Sequence, residues 1–507
     1  MVTSNRVQSR HEGSHHKINI KYGNLLLCLT VVFALLIYCW RRFIAPRLWR
    51  SKGYPPEIKS LRTRKAQLFW LTACWSGIIL GLAFFHINLP SEYVTLGKRF
   101  GRLAYALVPL DILLVIRPGF LGNYLDLVGL HKWISRIIFA CLTEHALAYY
   151  YKWWKAGDVI KKSFHVSNLL GVIVFWVFVG LIIISLKFFR NKCYGLFYIY
   201  HNVALVLMVV LIPFHARPGV TVFAIISVIL LGVQLYYKVA YLSSVILEVV
   251  QGRAGSKLQV VKFVKPNSLD VSWLPGSHIR LNGLLFKEYL LPSHPYTISS
   301  PHSESSVSLI IQKSRFIPVS ECYYVVSGPF ESSIPEGFYE NADQKTILII
   351  CGGSGISFGL PVHQNLQSLG VNSRLVWVIR SKADLYILDH FSQMENVDVY
   401  VTGISEDMFT SSPNGEDRFE VEELLDEENG IQLETMEEVE DSQDPYNDKN
   451  PSYRQHRGRP QLDDIGFGLE SEVNPWVIAC GPKDLVNESE KWCSSKGIHF
   501  LSETYQF

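Results

Sequence analysis

The chain has 507 residues, and its hydrophobic fraction of 49% is high for a soluble protein and low for a purely membrane-embedded one. The formal net charge is +3, and the polar half has no basic stripe with interleaved aromatic residues, so we predict no nucleic-acid partner. Apolar runs dominate up to about residue 245, and the composition of a soluble α/β protein follows.

The N-terminal half is predicted to be a transmembrane domain at 21–243, preceded by a polar tail at 1–20. A helix needs about 20 mostly apolar residues to cross the hydrocarbon layer. Seven runs of suitable length predict spans at about 24–40, 67–86, 100–116, 134–151, 167–186, 197–214 and 219–241. Pro109 and Asp111 interrupt the third run, so six spans is the alternative to seven.

The segment after the first predicted span, "RRFIAPRLWRSKGYPPEIKSLRTRK", is dense in arginine and lysine. Loops of this kind stay on the cytosolic side of a membrane. With seven spans, the C-terminal half of the chain then also lies in the cytosol. The segment "YKWWKAGDVIKK" would face the opposite side despite its lysines, against the same rule.

Four histidines recur at one interval in two of the predicted spans. His131 and His145 have thirteen residues between them, and so have His201 and His215. On an α-helix, fourteen steps end about 40° short of four full turns and rise about 21 Å. Both rings of a helix therefore face nearly the same way, one near each edge of the bilayer.

Two interpretations of these histidines compete. A single intramembrane histidine commonly forms a helix–helix hydrogen bond, whereas a repeated interval favours metal ligation. Zinc requires ligands that converge on one point, but two helices with this interval offer two separate pairs. We therefore predict two b-type haems, an inner one between His131 and His201 and an outer one between His145 and His215.

The C-terminal half predicts two soluble domains. Short alternating strands with glycine and proline turns at 248–338 predict a small antiparallel β-barrel. The stretch "KTILIICGGSGISFGL" then reads as a buried strand, a glycine turn and a helix, and the glycines would let backbone N–H groups approach a diphosphate. Further strands in "SRLVWVIRS" and "NPWVIACGP" predict an α/β domain at 344–403 and 471–507.

An acidic interval at 404–470 separates the two parts of the predicted α/β domain. It has few core-forming residues, so we predict a solvated, disordered insert. Such a segment is also able to dock a protein partner, although nothing in its sequence indicates which.

From about residue 67 to 507, apart from this insert, the chain closely resembles the ferric reductase and NADPH oxidase superfamily of transmembrane flavocytochromes. The motifs are the repeated histidine interval, "HPYT" at 294–297, "GGSGIS" at 352–357, "CGP" at 480–482 and a terminal aromatic residue. The resemblance implies a multi-domain membrane protein with an all-α haem-binding bundle, an FAD-binding antiparallel β-barrel and an α/β NADPH-binding domain. The chain is most similar to a small yeast branch of probable metalloreductases or yeast NADPH oxidases in internal membranes, including the endoplasmic reticulum.

The resemblance also implies binding residues for two soluble cofactors. For FAD it implies His294, Pro295, Tyr296, Thr297, Gly328 and Phe507. For NADPH it implies Gly352, Gly353, Ser354, Gly355, Ile356, Ser357, Arg380, Cys480, Gly481 and Pro482. Tyr296 would lie along the flavin and Phe507 would stack over it, while Arg380 would meet the 2′-phosphate, although a simple strand-end charge is the alternative.

The implied function is an NADPH-dependent oxidoreductase that passes electrons from cytosolic NADPH through FAD and two haems to an acceptor on the opposite face. Ferric or cupric ions fit as the acceptor, as in a metalloreductase. A superoxide-generating NADPH oxidase, with oxygen as a small-molecule acceptor, is the alternative. A non-catalytic membrane scaffold that uses the acidic insert to recruit partners is an alternative from another class.

Overall fold

The computed structural model describes residues 2–44, 47, 61–117, 121, 124–216, 219–283, 293–313, 317–334, 337–340, 342, 345–391, 394–403, 453–466, 468–469, 472 and 474–503. Within these ranges, the backbone alone is described for residues 2–18, 61–65, 124–126, 191, 294 and 340. The described chain forms a helical domain, an antiparallel β domain and a parallel α/β domain, in that order.

Seven long helices form the described part of the helical domain, and each predicted span overlaps one of them. They are α1 (Val2–Cys39), α2 (Leu61–Phe84), α3 (Tyr93–Leu113), α4 (Tyr124–Lys155), α5 (Val166–Ser185), α6 (Tyr194–His215) and α7 (Thr221–Ala240). Among the described residues, five helices are long and apolar enough to cross a membrane, namely α1, α2, α5, α6 and α7. Helices α3 and α4 are equally long but carry charged residues along their length. The predicted polar tail is helical from Val2, as the first part of α1.

Helix α3 is the centre of this domain and is buried along most of its length by α1, α4 and α7. It runs through Pro109 without a break, as membrane helices tolerate when their neighbours satisfy the freed carbonyl. Helices α3 and α4 form one antiparallel hairpin, and α5 and α6 form a second. On the outer helices, large apolar side chains such as Trp70, Trp176 and Leu235 are exposed. This arrangement is typical of lipid-facing surfaces.

The β domain contains seven described strands in two antiparallel sheets. They are β1 (Leu242–Ile246), β2 (Glu248–Val249), β3 (Leu258–Val264), β4 (His278–Gly283), β5 (His294–Thr297), β6 (Ser306–Gln312) and β7 (Tyr323–Phe330). One sheet has the order β1-β7-β4-β5 and the other the order β2-β3-β6, with a bridge between Ile298 and Leu309. The predicted closed barrel is therefore not confirmed. Strand β1 pairs with β7 from Leu242 onward, so the sheet begins before the predicted bounds of 243 and 248.

The α/β domain is a six-stranded parallel sheet with the order β11-β10-β9-β8-β12-β13 in the described residues. Its elements are β8 (Thr346–Gly352), α8 (Ile356–Ser368), β9 (Ser373–Ile379), β10 (Val397–Val401), β11 (Arg454–Arg457), β12 (Pro475–Cys480), α9 (Lys483–Lys496) and β13 (His499–Glu503). The strand order reverses between β8 and β12, which is where ligands bind in open α/β sheets. Short helical turns lie at Trp40–Ile44, Val159–Ser163, Lys187–Lys192, Asn267–Leu269, Gly337–Glu340, Gly353–Gly355, Lys382–His390 and Leu462–Ile465.

The predicted acidic insert is too long at its C-terminal end. Residues 454–457 form the edge strand β11, which pairs in parallel with β10 from Asp398 to Val401. A short helix, Leu462–Ile465, follows it. The sheet therefore resumes near residue 453 and not at the predicted residue 471, because two side chains of this strand, Arg454 and His456, satisfy a buried carboxylate, as described below. Residues 404–452 of the predicted insert lie outside the described residues.

The β domain and the α/β domain share one hydrophobic core. Val260 of β3 and Trp377 of β9 belong to the same buried cluster. Next to it, the buried carboxylate of Asp384 accepts hydrogen bonds from the Ser256 hydroxyl at 2.6 Å and from the backbone N–H groups of Lys257 and Leu258 at 2.9 and 3.1 Å. Three donors from one domain thus satisfy a single acceptor in the other, which fixes the two domains against each other.

Asp398 holds the outer strands of the parallel sheet together. Its side chain is 1% exposed and lies 2.6 Å from Arg374 Nε, 3.0 Å from Arg454 Nε and 3.0 Å from His456 Nε2. Burial acts to raise the pKa of this carboxyl, but hydrogen bonds from His456 and Arg374 and the arginine charges lower it below its ordinary value. The carboxylate therefore joins β9, β10 and β11 in its charged form.

We expect Asp398→Asn to reduce the free energy of local opening at β10 and β11 by about 3 kcal/mol at pH 7, the low end for a broken buried pair because both arginines are partly exposed. A lowered pKa stabilises the fold above the pKa of unfolded aspartate, and this stabilisation is lost as the pH falls through the lowered value. Hydrogen exchange of the strand amides measures both effects. Asp270→Asn, at a side chain that is 73% exposed and 3.6 Å from Lys265, is the matched control and should change little. Equal effects of both substitutions at pH 7 would contradict the role of Asp398.

Candidate redox site

The four predicted histidines meet as two pairs between helices α4 and α6. The ring centres of His131 and His201 are 6.1 Å apart, and those of His145 and His215 are also 6.1 Å apart. The ring planes are close to perpendicular, at 79° and 85°. The interval of fourteen residues on each helix thus places the rings in two tiers, about 21 Å apart by helical rise.

The backbone orients three of the four rings through Nδ1. His145 Nδ1 donates to the carbonyl of Gly97 at 2.8 Å, and His215 Nδ1 donates to the carbonyl of Ser167 at 2.7 Å. His131 Nδ1 donates to the carbonyl of Asp111 at 3.1 Å. A proton held at Nδ1 leaves Nε2 as the nitrogen with a free lone pair, and this is the tautomer that binds a metal.

Glycines make the space that the outer rings occupy. A Cβ atom at Gly101 would lie 2.7 Å from Nδ1 of His145, and one at Gly171 would lie 2.5 Å from Cε1 of His215. Real Cβ atoms do not approach other atoms so closely, so any side chain at either position would displace the ring. The α3–α4 and α5–α6 hairpins share this arrangement. In each, the glycine lies four residues after the residue whose carbonyl accepts the hydrogen bond from the histidine ring.

A cavity of about 2940 Å³ extends from the inner histidine pair to the β domain. His131 and His201 line one part of it, and Arg280, Thr297 and Phe330 line another. The inner tier therefore lies on the side of the helical domain that faces the β domain. This arrangement leaves room for a large planar group beside the helices and for a second one beside the strands.

The residues of the "HPYT" motif form β5, which pairs with β4. In the antiparallel register, Thr297 is opposite His278, Tyr296 opposite Ile279, and Pro295 opposite Arg280. Only the backbone of His294 is described. Thr297 is buried, and burial raises the pKa of the Tyr296 phenol. The motif thus lies on the edge strand of the four-stranded sheet, next to the cavity.

Gly328 lies two strands away, on β7, and its φ of 137° favours glycine. A Cβ atom there would lie 3.2 Å from the carbonyl oxygen of His278, so a side chain would press on β4. Phe330, two residues later, packs on the His278 ring with centres 5.3 Å apart. The end of β7, Gly328 to Phe330, and the "HPYT" strand β5 therefore flank the same strand, β4.

Two residues of β4 in the cavity wall were not predicted from the sequence. Arg280 donates from Nε to the Ser293 hydroxyl at 2.8 Å and from its guanidinium to the Ser293 carbonyl. Burial lowers the pKa of the His278 imidazole to about 3, and the charges of Arg280 and Arg117 act in the same direction. The cavity wall beside "HPYT" thus presents a cation and a neutral ring. A lone arginine in the alternating stretch "GSHIRLNG" was the available signal.

The predicted nucleotide residues meet at the carboxyl edge of the parallel sheet. Gly352 ends β8, Cys480 ends β12 and Arg380 follows β9, and these three strands are neighbours. A Cβ atom at Gly355 would lie against the carbonyl oxygen of Cys480, and one at Gly481 would lie 2.9 Å from the backbone N of Gly352. The two glycine-containing turns are therefore in direct backbone contact.

The individual side chains at this edge differ in their exposure. Cys480, Ile356 and Ser357 are buried, whereas Arg380 is exposed at the end of β9. Gly353 has a φ of 52°, and its carbonyl accepts a hydrogen bond from Trp377 Nε1 at 3.0 Å. The turn residues Gly353, Ser354 and Gly355 form a short helical turn that leads into α8, and Pro482 precedes α9. Phe507 lies outside the described residues.

Three family models match the sequence in the order of the three domains. They are described as "Ferric reductase like transmembrane component" at residues 100–212, "FAD-binding domain" at residues 247–328 and "Ferric reductase NAD binding domain" at residues 344–494. The first match contains both histidine-bearing helices in large part, and the other two cover most of the β domain and most of the α/β domain.

Curated relatives match almost the whole chain. A protein of Debaryomyces hansenii described as "Probable metalloreductase AIM14" is 39% identical over 98% of this chain and 98% of its own. Its namesake in Candida tropicalis is 37% identical over 99% of this chain and 98% of its own. A solved ferredoxin NADP+ reductase from Neisseria gonorrhoeae covers 52% of this chain and 98% of its own at 12% identity, but its TM-score of 0.35 carries no argument.

These matches identify the type of reaction and the domains that carry it out. The protein is an NADPH-dependent oxidoreductase of multi-pass membrane type, with an FAD-binding and an NAD-binding domain after its transmembrane component. The identity to the yeast relatives extends over nearly the full length of both chains. The chain therefore belongs to the ferric reductase family, in the group of yeast proteins described as probable metalloreductases.

Proposed function

We propose that this protein transfers electrons from cytosolic NADPH through FAD and two bis-histidine b-type haems to ferric or cupric ions on the opposite face of an internal membrane such as the endoplasmic reticulum. The two tiers of paired histidines are the observation that carries this proposal. The arginine- and lysine-rich segment after the first span supports the cytosolic placement of the nucleotide-binding domain. Recruitment of a protein partner by the acidic insert stays a prediction.

The spacing within each pair fits an iron porphyrin. Two opposite metal–imidazole bonds of about 2 Å each, with roughly 1 Å from each donor nitrogen to its ring centre, span about 6 Å. The observed ring-centre distances are 6.1 Å in both tiers. A direct hydrogen bond between the two rings would bring their centres closer, so the gap supports an atom held between them. A haem held by His131 and His201, or by His145 and His215, would supply one-electron transfer.

For FAD we propose the wall formed by β4, β5 and β7. Thr297, beside the cavity, would hydrogen-bond the flavin ring, and Tyr296 would lie along it. Arg280 adds a cation where an anionic diphosphate needs one, and it is held in place by Ser293. Gly328 keeps β7 close to β4, which positions Phe330 in the same wall. Pro295 and His294 complete the strand.

For NADPH we propose the carboxyl edge of the parallel sheet. The N–H groups at Gly353, Ser354 and Gly355 would hold the diphosphate at the start of α8, where the helix dipole favours negative charge. Arg380, exposed at the same edge, would meet the 2′-phosphate. Cys480, Gly481 and Pro482 would lie by the nicotinamide, and Phe507 would cover the flavin face until the nicotinamide replaces it.

Sealed liposomes with the full-length protein test the proposal. With NADPH and FAD on the side of the nucleotide domain and a ferric chelate with a ferrous trap on the other, we expect ferrous iron that depends on NADPH. His215→Ala should abolish this transfer. Superoxide formed at the same rate without any chelate would contradict a metal acceptor and support an oxidase. A preparation with no b-type absorbance would contradict the relay and support a scaffold.

A further inference from the structure

Asp111 is the single acidic residue of helix α3, in the centre of the helical domain. Its side chain is 15% exposed. A carboxylate within a membrane is costly, and such residues usually mark a functional site. The relay proposed above gives this residue no role.

The contacts of Asp111 point to the inner histidine pair. His131 Nδ1 lies 2.9 Å from Oδ1 of Asp111, in addition to its bond to the backbone carbonyl of the same residue. Ser135, one turn further along α4, donates its hydroxyl to Oδ2 at 2.7 Å. Oδ2 thus has a donor from α4, whereas Oδ1 lies at ion-pair distance from a proposed axial ligand, His131, whose Nδ1–H is bonded to the backbone carbonyl.

In the outer pair, no carboxylate among the described residues accompanies the acceptors of the ring Nδ1 atoms. His145 and His215 donate Nδ1 to the neutral backbone carbonyls of Gly97 and Ser167. Glu144, the neighbour of His145 in the chain, is exposed. The tiers therefore differ in that one ligand of the inner tier, His131, faces a carboxylate, whereas both ligands of the outer tier face neutral carbonyls.

A carboxylate at Nδ1 makes the imidazole a stronger electron donor through Nε2. A negative charge near the metal in a medium of low dielectric also favours the more positive, oxidised iron. Both effects lower the reduction potential of a haem bound at that ligand. A neutral carbonyl acceptor strengthens the imidazole less than a carboxylate does, and it adds no negative charge near the metal.

We propose that Asp111 is a positioning residue that keeps the inner haem at a lower potential than the outer haem, so that each electron moves downhill from the inner to the outer tier. In this transfer, the inner site loses one electron and the outer site gains one, and no proton or further reactant takes part. This inference rests on the proposed bis-haem relay. One side chain, that of Asp111, would thus set the direction of electron flow between the two tiers.

Potentiometric titration of the haem absorbance in the full-length protein tests this inference. Asp111→Asn keeps the size and an acceptor oxygen but removes the charge. We expect two haems per chain as in the wild type, with the lower midpoint potential moved to a more positive value and the upper one unchanged. Asp111→Glu restores the charge and should return the lower midpoint toward the wild-type value.

Two further variants keep the outcome decisive. Ser135→Ala removes the hydroxyl that shares the carboxylate, so the lower midpoint should become more negative. In a His215→Ala background, which retains the inner site, Asp111→Asn should raise the one remaining midpoint. Haem retained in Asp111→Asn with no midpoint moved, or with both moved equally, would overturn the inference. If Asp111→Asn loses the inner haem, an unchanged lower midpoint in Ser135→Ala would overturn it. Absence of haem from the wild type would instead refute the relay itself.

Discussion

Replacement of His215 by alanine is expected to leave one haem per chain and to halve the b-type absorbance in a reduced-minus-oxidised spectrum. The inner tier should keep its haem, because His131 and His201 are separated from the lost ligand by about 21 Å of helical rise. Metal reduction across the membrane should fall by at least about a hundredfold, since even loss of a supporting group around a metal ligand costs 10–100-fold. The haem content and the rate of transmembrane metal reduction, measured on one preparation, test both expectations.

His165→Ala is the matched control for this experiment. His165 is exposed at the start of α5 and bonds the Ser167 hydroxyl, so both haems should stay. Gly171→Val should reproduce the haem loss without removing a ligand, because its side chain would occupy the space of the His215 ring. Gly232→Val in α7 should keep both haems, because a Cβ atom at this position has nothing within 4 Å. A full haem complement in His215→Ala would refute the pairing.

Gly355→Val is expected to slow the reduction of the flavin by NADPH by about a hundredfold. Its Cβ would collide with the carbonyl oxygen of Cys480, and this oxygen belongs to the backbone at the end of β12, a strand that is paired on both sides. The start of α8 must then shift away from β12, and a misplacement of about 1 Å is enough to cost 10²-fold in rate. Rapid mixing with NADPH, followed by the flavin absorbance, measures the rate directly.

The control for Gly355→Val lies at the other end of the same helix. Gly370 has a φ of 71° with open space around a Cβ atom, and asparagine tolerates this conformation. Gly370→Asn should therefore reduce its flavin at the wild-type rate. Unchanged haem content in both variants shows that the membrane domain is intact. Flavin reduction at the wild-type rate in Gly355→Val would mean that the two turns do not form the nucleotide site.

The helices and their histidines were predictable because two simple properties determine them. The thickness of a bilayer fixes the length of an apolar run, and helical geometry turns an interval of fourteen residues into one shared face. Neither argument needs the packing of one helix on another. The pairing of His145 with His215 follows once α4 and α6 run in the same direction.

Features that depend on packing between elements were not predictable. The contact of Asp111 with His131 arises from the register of α3 against α4, and the sequence alone showed Asp111 as a flaw in a membrane span. Strand β11 is the polar tetrapeptide "RQHR" and has no apolar alternation. It joins the sheet because Arg374 of β9 and its own Arg454 and His456 surround Asp398, and no local pattern in the sequence reveals this.

The closed barrel was predicted from alternation and turn density, which indicate antiparallel strands but not how a sheet closes. The described strands separate into two sheets joined at Ile298 and Leu309. Arg280 was missed for a related reason. Its position opposite Pro295 depends on the register of β4 and β5, and register is set by contacts beyond each strand.

The core shared by the β domain and the α/β domain restricts how this part of the molecule moves. Val260 and Trp377 are both fully buried in it, so a hinge that swung the two lobes apart would expose apolar surface to water. Nucleotide exchange must therefore proceed by small local displacements at the rim. The distance from dinucleotide to flavin would then be set during folding and would not be reset at every turnover.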